Sequence, residues 1–127
     1  MKRQVGDMGD HPRIACGVFA AIDFEKRPVF PLLYWGIRAQ NHRGHQSHGF
    51  VTYDGEFHQR KALNLVPKIE KDKIKEWLAT LPGYVGLANV RYTTSGRSDH
   101  ESLQKGTQPV TAEKDDLKVA ISFNGNI

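Results

Sequence analysis

The sequence predicts a mixed α and β domain in which a sheet is layered with helices. Three observations predict it. Short apolar or alternating runs recur between turn signals, two segments carry apolar residues at helical spacing, and the order along the chain is strand, helix, hairpin, helix, strands.

Residues 1–13 are polar and contain Gly6, Gly9 and Pro12, so they read as a loose leader. Residues 14–22 form a short, mostly apolar run around Ala15, Cys16, Val18 and Phe19, which predicts a buried strand broken by Arg27-Pro28. Phe30, Leu33, Tyr34 and Ile37 fall at i, i+3, i+4 and i+7, one face of a helix, and Pro31 suits its first turn. Gly44 ends that pattern. Residues 50–53 and 56–61 flank Asp54-Gly55, a hairpin signal. Ile74, Trp77, Leu78 and Leu81 give a second helical face, closed by Pro82-Gly83. Residues 84–92 read as a strand and residues 94–108 as a polar loop. Leu117, Val119, Ile121 and Phe123 alternate with Lys118, Ala120 and Ser122, the pattern of a half-buried strand with the apolar set inward. The turn signal Asn124-Gly125 follows, with nothing after it to pair with that strand. A strand wastes its hydrogen-bonding edge in that position, so the chain is expected to be incomplete relative to its domain.

The composition narrows the function. At 127 residues the chain is one domain or part of one, and 39% hydrophobic content is lean enough to expect a core completed from elsewhere. The net charge of +4 is scattered. Its densest stretch, residues 68–75, is interleaved with Glu70 and Asp72 and followed by Glu76, a solvated helix face rather than a nucleic-acid surface. Small anions stay open as ligands. One cysteine permits no intrachain disulfide and points to a reducing, cytoplasmic setting. No apolar run reaches membrane-spanning length, and residues 1–15 lack the apolar centre of a secretory signal.

Four stretches stand out: Cys16-Gly17-Val18-Phe19, His42-Arg43-Gly44, residues 90–96 (Val-Arg-Tyr-Thr-Thr-Ser-Gly) and Asn124-Gly125-Asn126. Each alone has an ordinary meaning: a small buried cysteine, a surface arginine at a strand end, an Asn-Gly turn. In this order and at these spacings they resemble the class II glutamine amidotransferases, which are N-terminal-nucleophile hydrolases, and most of all the glutaminase domain of the amidophosphoribosyltransferase branch. The resemblance runs from Cys16 to Ile127.

That resemblance implies an α+β fold, the αββα four-layer sandwich, here truncated on its C-terminal side. It implies a leader or propeptide over 1–15 and the N-terminal part of a type-2 glutamine amidotransferase domain over 16–127. It implies hydrolysis of glutamine to glutamate and ammonia, with phosphoribosyl pyrophosphate as the acceptor in purine synthesis. Cys16 would be the nucleophile once residues 1–15 are removed. Asn124 and Gly125 would form the oxyanion hole. Arg91 would grip the substrate α-carboxylate, with Thr94 and Arg43 lining the glutamine pocket. No cofactor is expected in this chain; a magnesium ion belongs to a phosphoribosyltransferase domain that this chain lacks. Glutamine is the expected partner, with a homo-oligomer or an attached acceptor domain, and neither nucleic acid nor membrane.

The chemistry supports the same residues. An amide is a poor electrophile, so its hydrolysis needs a strong nucleophile with an adjacent base and a trap for the oxyanion. A freed α-amine, with a pKa of about 8, can take the proton of a thiol with a pKa of about 8.5 at little cost. A guanidinium holds a carboxylate through two parallel hydrogen bonds.

The sequence also departs from the family pattern. Phe123 stands where His usually precedes Asn-Gly-Asn, Gly106-Thr107 where Asn-Ala usually precedes Gln-Pro, and His45 and His48 where Gln and Ala are usual. The aspartate that binds the substrate amino group lies beyond the match; Asp115 and Asp116 come too early to replace it. Little or no activity is therefore expected of the chain as written. His42, His45 and His48 share a regular spacing, but no carboxylate or second cysteine is near, and no metal site is expected. Two other expectations compete: a divergent, non-catalytic relative acting as a subunit or regulator, and a glutaminase serving another acceptor such as a sugar phosphate.

Overall fold

The computed structural model describes residues 16–40, 47–91 and 106–124. Within them the chain forms β1 (Gly17–Ile22), α1 (Phe30–Arg38), β2 (Ser47–Tyr53), β3 (Phe57–Ala62), α2 (Lys71–Thr80), β4 (Val85–Arg91), β5 (Val110–Lys114) and β6 (Leu117–Ile121). The fold is mixed α+β. It holds a four-stranded antiparallel sheet ordered β1-β4-β2-β3 and a two-stranded sheet of β5 and β6.

Strand alternation divides the larger sheet into two faces. On β4, Gly86, Ala88 and Val90 share one face, opposite Phe19 and Ala21 of β1 and His48, Phe50 and Thr52 of β2. That face takes the helices. Helix α1 buries the four residues its periodicity picks out, Phe30, Leu33, Tyr34 and Ile37. Phe30 meets Phe50 edge-on at 5.3 Å between centroids and stacks on Trp77 of α2 at 5.7 Å. Gly86 permits the approach: a Cβ there would lie 2.5 Å from Cδ1 of Leu33. Helix α2 has no fully buried residue. Its Trp77 and Leu78 pack at the margin of the core, and the Arg60 guanidinium covers Trp77 at 3.8 Å from the ring centroid. Between the helices, the Tyr34 hydroxyl donates to the Pro67 carbonyl and accepts from the Ile69 N–H, both at 3.0 Å, which ties residues 67–69 onto α1.

The opposite face carries Val18, Ser47, Gly49, Val51, Val85, Leu87, Asn89 and Arg91. The β5–β6 hairpin lies over it. Gln59 Nε2 donates to Thr111 Oγ1 at 3.1 Å, Lys118 Nζ to the Gly55 carbonyl at 3.2 Å, and Asn89 Nδ2 to Ser122 Oγ at 3.0 Å. Helices, sheet and hairpin thus make three tiers, and among the described residues no helix covers the outer side of the hairpin.

Two expectations need correction. Strand β6 does have a partner, because residues 110–114 form β5 and pair with it antiparallel, Val110 opposite Ile121. The Val-Thr-Ala-Glu-Lys stretch lacks apolar alternation, and its strand state comes from that pairing and from contacts with the sheet below. The expected inward face of β6 is reversed as well: Leu117 and Ile121 are 65% and 55% exposed. Lys118, Ala120 and Ser122 face the sheet instead. Small residues let the hairpin approach, and Ser122 meets the Asn89 amide. The leader expected over 1–15, along with Arg43, Thr94 and Gly125, lies outside the described residues.

Candidate active site

Cys16 is half-buried and immediately precedes β1, an edge strand of the larger sheet. Gly17 pairs with Val90. Continuing that antiparallel register by one residue sets Cys16 opposite Arg91, at the start of one strand and the end of its neighbour. Alternation from Val18 directs Cys16 to the face that also carries Asn89 and Arg91. Gly17 is required by its surroundings. A Cβ there would lie 2.8 Å from Oε1 of Gln40 and 2.8 Å from Cγ2 of Val90, so the residue after the cysteine has no room for a side chain.

Arg91 closes β4, a central strand, and is also the register partner of Ser47 on β2. It is partly buried, and its Nη1 donates to the Gly106 carbonyl. Strand β2 therefore fixes its backbone, and the Gly106 carbonyl holds its guanidinium. Half-burial strengthens the attraction such a cation exerts on a carboxylate, because less water screens it.

Asn124 follows β6 and is exposed. The segment before it is held to the sheet. Ser122 accepts the bond from Asn89, and the Phe123 N–H donates to Gln108 Oε1 at 2.8 Å. Gln108 is itself wedged in place, since its carbonyl oxygen occupies the space over Gly49 that a Cβ would need. The structure thus places Cys16 and Arg91 next to the paired residues Gly17 and Val90, and delivers the chain toward Asn124 over the same sheet. Asn89, Gln108 and Ser122 were not singled out from the sequence. A signal existed for Asn89, the one uncharged polar side chain in the run from Val85 to Val90.

Two further titratable residues near the site are among the described residues. Lys61 shares this face through its pairing with Gly49, and burial pushes its ammonium below the usual range. His48 lies on the other face of the sheet, buried against Phe50, with Nδ1 2.7 Å from the Asn64 carbonyl oxygen. That oxygen only accepts, so Nδ1 carries the proton. Burial lowers the His48 pKa from its ordinary 6.5, outweighing the Asn64 carbonyl that favours the charged ring; the Arg60 charge adds to the lowering. His48 therefore packs as a neutral core residue. An open cleft of about 580 Å³ lies between the sheet and the hairpin, lined by Val51, Tyr53, Val85, Leu87, Leu117 and Ala120. It sits toward the Val85 end of β4, away from Arg91, so volume alone does not mark the candidate site.

No family model matches the chain. Curated proteins do. The chain is 34% identical over 113 residues to an amidophosphoribosyltransferase of Methanocaldococcus jannaschii, a match covering 88% of this chain and 22% of that protein. It is 33% identical over 119 residues to the amidophosphoribosyltransferase of Rhizobium etli, covering 93% of this chain and 22% of that one. It is 32% identical over 124 residues to that of Synechocystis sp., covering 96% and 23%. The chain thus spans about a fifth of the length of the curated relatives it matches. Over that stretch the chain is similar to amidophosphoribosyltransferases.

Proposed function

We propose that this chain is the glutaminase part of a glutamine amidotransferase, with Cys16 as nucleophile after removal of residues 1–15. The observation that carries the proposal is the pairing of Gly17 with Val90, which brings the neighbouring residues Cys16 and Arg91 to the same end of two adjacent strands. The freed α-amine of Cys16 takes the thiol proton. The thiolate attacks the glutamine carboxamide carbon, forming a C–S bond and an oxyanion. Asn124 Nδ2 and the Gly125 N–H donate to that oxyanion. Its collapse breaks the C–N bond, and the ammonium proton on the α-amine passes to the leaving nitrogen, which departs as ammonia. Water then hydrolyses the thioester to glutamate and restores the thiol.

Arg91 binds the substrate α-carboxylate, with Thr94 and Arg43 completing the pocket. Kinship with the amidophosphoribosyltransferases supports phosphoribosyl pyrophosphate as the acceptor, delivered by an attached acceptor domain or partner. The three tiers of the fold are in keeping with the helix, sheet and sheet layers of a four-layer αββα sandwich. A reducing cytoplasm suits a thiol nucleophile.

The experiment is a mass measurement on the intact protein paired with an ammonia-release assay. Glutaminase activity is expected only in molecules whose chain begins at Cys16, because the base is that residue's own amine. Equal activity in molecules that keep residues 1–15 would refute the α-amine as base.

A further inference from the structure

We infer that Asn89 and Gln108 are positioning residues that hold the exit of β6, and with it Asn124, against the sheet face carrying Cys16 and Arg91. The inference rests on the glutaminase reading above and deepens it. Asn124 is exposed and follows a hairpin, and no hydrogen bond holds its amide among the described residues. The two residues before it are fixed. Asn89 Nδ2 donates to Ser122 Oγ at 3.0 Å, and Gln108 Oε1 accepts the Phe123 N–H at 2.8 Å. Both anchors are deeply placed: Asn89 is 1% and Gln108 2% exposed. They stand side by side, because Gln108 seats its carbonyl over Gly49, the register partner of Asn89. Arg91, two residues along the same strand, donates to the Gly106 carbonyl and so ties down the segment that leads into Gln108. One strand, β4, thereby carries the substrate-gripping arginine and an anchor of the oxyanion segment.

The chemistry of the position supports a directional role. Val85 and Leu87 precede Asn89 on its face of β4. An apolar residue there would pack between the sheets without burying an amide, and Asn89 Oδ1 has no hydrogen-bond partner among the described residues. What the amide supplies instead is one bond of fixed direction to the hairpin. An oxyanion donor must be preorganised, because a donor that has to reorient during the reaction loses most of its effect.

The test uses the whole protein with Asn89→Leu, Gln108→Met and Ser122→Ala. Each removes the polar group at one end of an anchoring hydrogen bond; Met matches Gln closely in size, Ala is slightly smaller than Ser, and Leu is larger than Asn. Ammonia release is expected to lose roughly tenfold or more in kcat, with KM changed less than about twofold, because the anchors act on the transition state and not on glutamine binding. Asn89→Leu combined with Ser122→Ala is expected to cost no more than the worse single change, since both break one bond. Amide exchange at Phe123 is expected to quicken at least about tenfold in Gln108→Met, with the β1–β4 amides unchanged. Should a large substitution at Asn89 prevent folding, Ser122→Ala alone carries that arm. Unaltered exchange at Phe123 overturns the anchoring whatever the activity. Faster exchange with kcat intact overturns the catalytic half. Glutaminase activity surviving in Cys16→Ala overturns the active-site assignment itself, whereas its loss there, beside unaffected anchor variants, overturns only the positioning.

Discussion

Gly17 lies against Gln40, the residue two positions beyond α1: a Cβ on Gly17 would come within 2.8 Å of the Gln40 Oε1 and 2.9 Å of its Cβ. Gln40 Nε2 in turn donates to the Val18 carbonyl at 3.3 Å, so the end of the helix is stitched to the strand that begins at the cysteine. Gly17→Ala is expected to destabilise the protein by about 1–3 kcal/mol, the usual range for overpacking, and to shift the Cys16 backbone. Denaturant unfolding measures the first effect. An unchanged midpoint would mean that Gln40 yields freely.

The core makes a contrast of two aromatic residues on one helix. Phe30 is buried among Tyr34, Phe50 and Trp77, whereas Trp35 is 63% exposed. Phe30→Ala is expected to cost about 3–5 kcal/mol, and Trp35→Ala no more than about 0.5 kcal/mol unless its edge-on contact with Tyr34 matters. Urea or thermal unfolding of the pair checks both. A large cost at Trp35 would show that this side of α1 is covered in the protein as tested.

His48 gives the fold a pH dependence with a definite sign. Its folded-state pKa is lowered, so the unfolded chain binds the proton more readily. Its contribution to stability is fully present above the ordinary value of 6.5 and is lost as pH falls from there through the lower folded-state value. Unfolding midpoints are expected to drop across that window, and a His48→Gln variant to lack that part of the drop. A variant with the same slope as the native protein would assign the effect to other groups.

Much of this was legible in the sequence because local and tertiary signals agree. Phe30, Leu33, Tyr34 and Ile37 repeat at helical spacing and all four are buried. Asp54-Gly55 marks a turn, and Gly55 adopts φ +115° in it. The misses have one physical cause, tertiary override. Residues 110–114 carry no strand pattern of their own, and β6 leaves Leu117 and Ile121 exposed while Ser122 meets Asn89. At the candidate site, Cys16 and Arg91 were legible as motifs, and the register pairs the residues beside them, Gly17 and Val90. The anchors were hidden because a polar residue becomes meaningful only once its partner, far along the chain, is known.

The proposed role of Arg91 in binding the substrate carboxylate is the one most open to a kinetic test. The Arg91 guanidinium is held at the end of β4 by the Gly106 carbonyl. Arg91→Lys keeps the charge and loses the planar fork that fits a carboxylate. KM for glutamine is expected to rise roughly tenfold or more with a smaller change in kcat, as uniform binding is lost. Steady-state ammonia release over a glutamine series measures it. A fall in kcat alone would move Arg91 from substrate binding to chemistry.

The nucleophile decides the whole account, and it stands or falls on one sulfur atom. Glutamine-dependent ammonia release should be compared between the intact native protein and its Cys16→Ala variant, with unfolding curves showing that both are folded. The expected result is release at the uncatalysed background in the variant. Release at a native rate from a folded Cys16→Ala protein would contradict the assignment of Cys16 and the mechanism built on it.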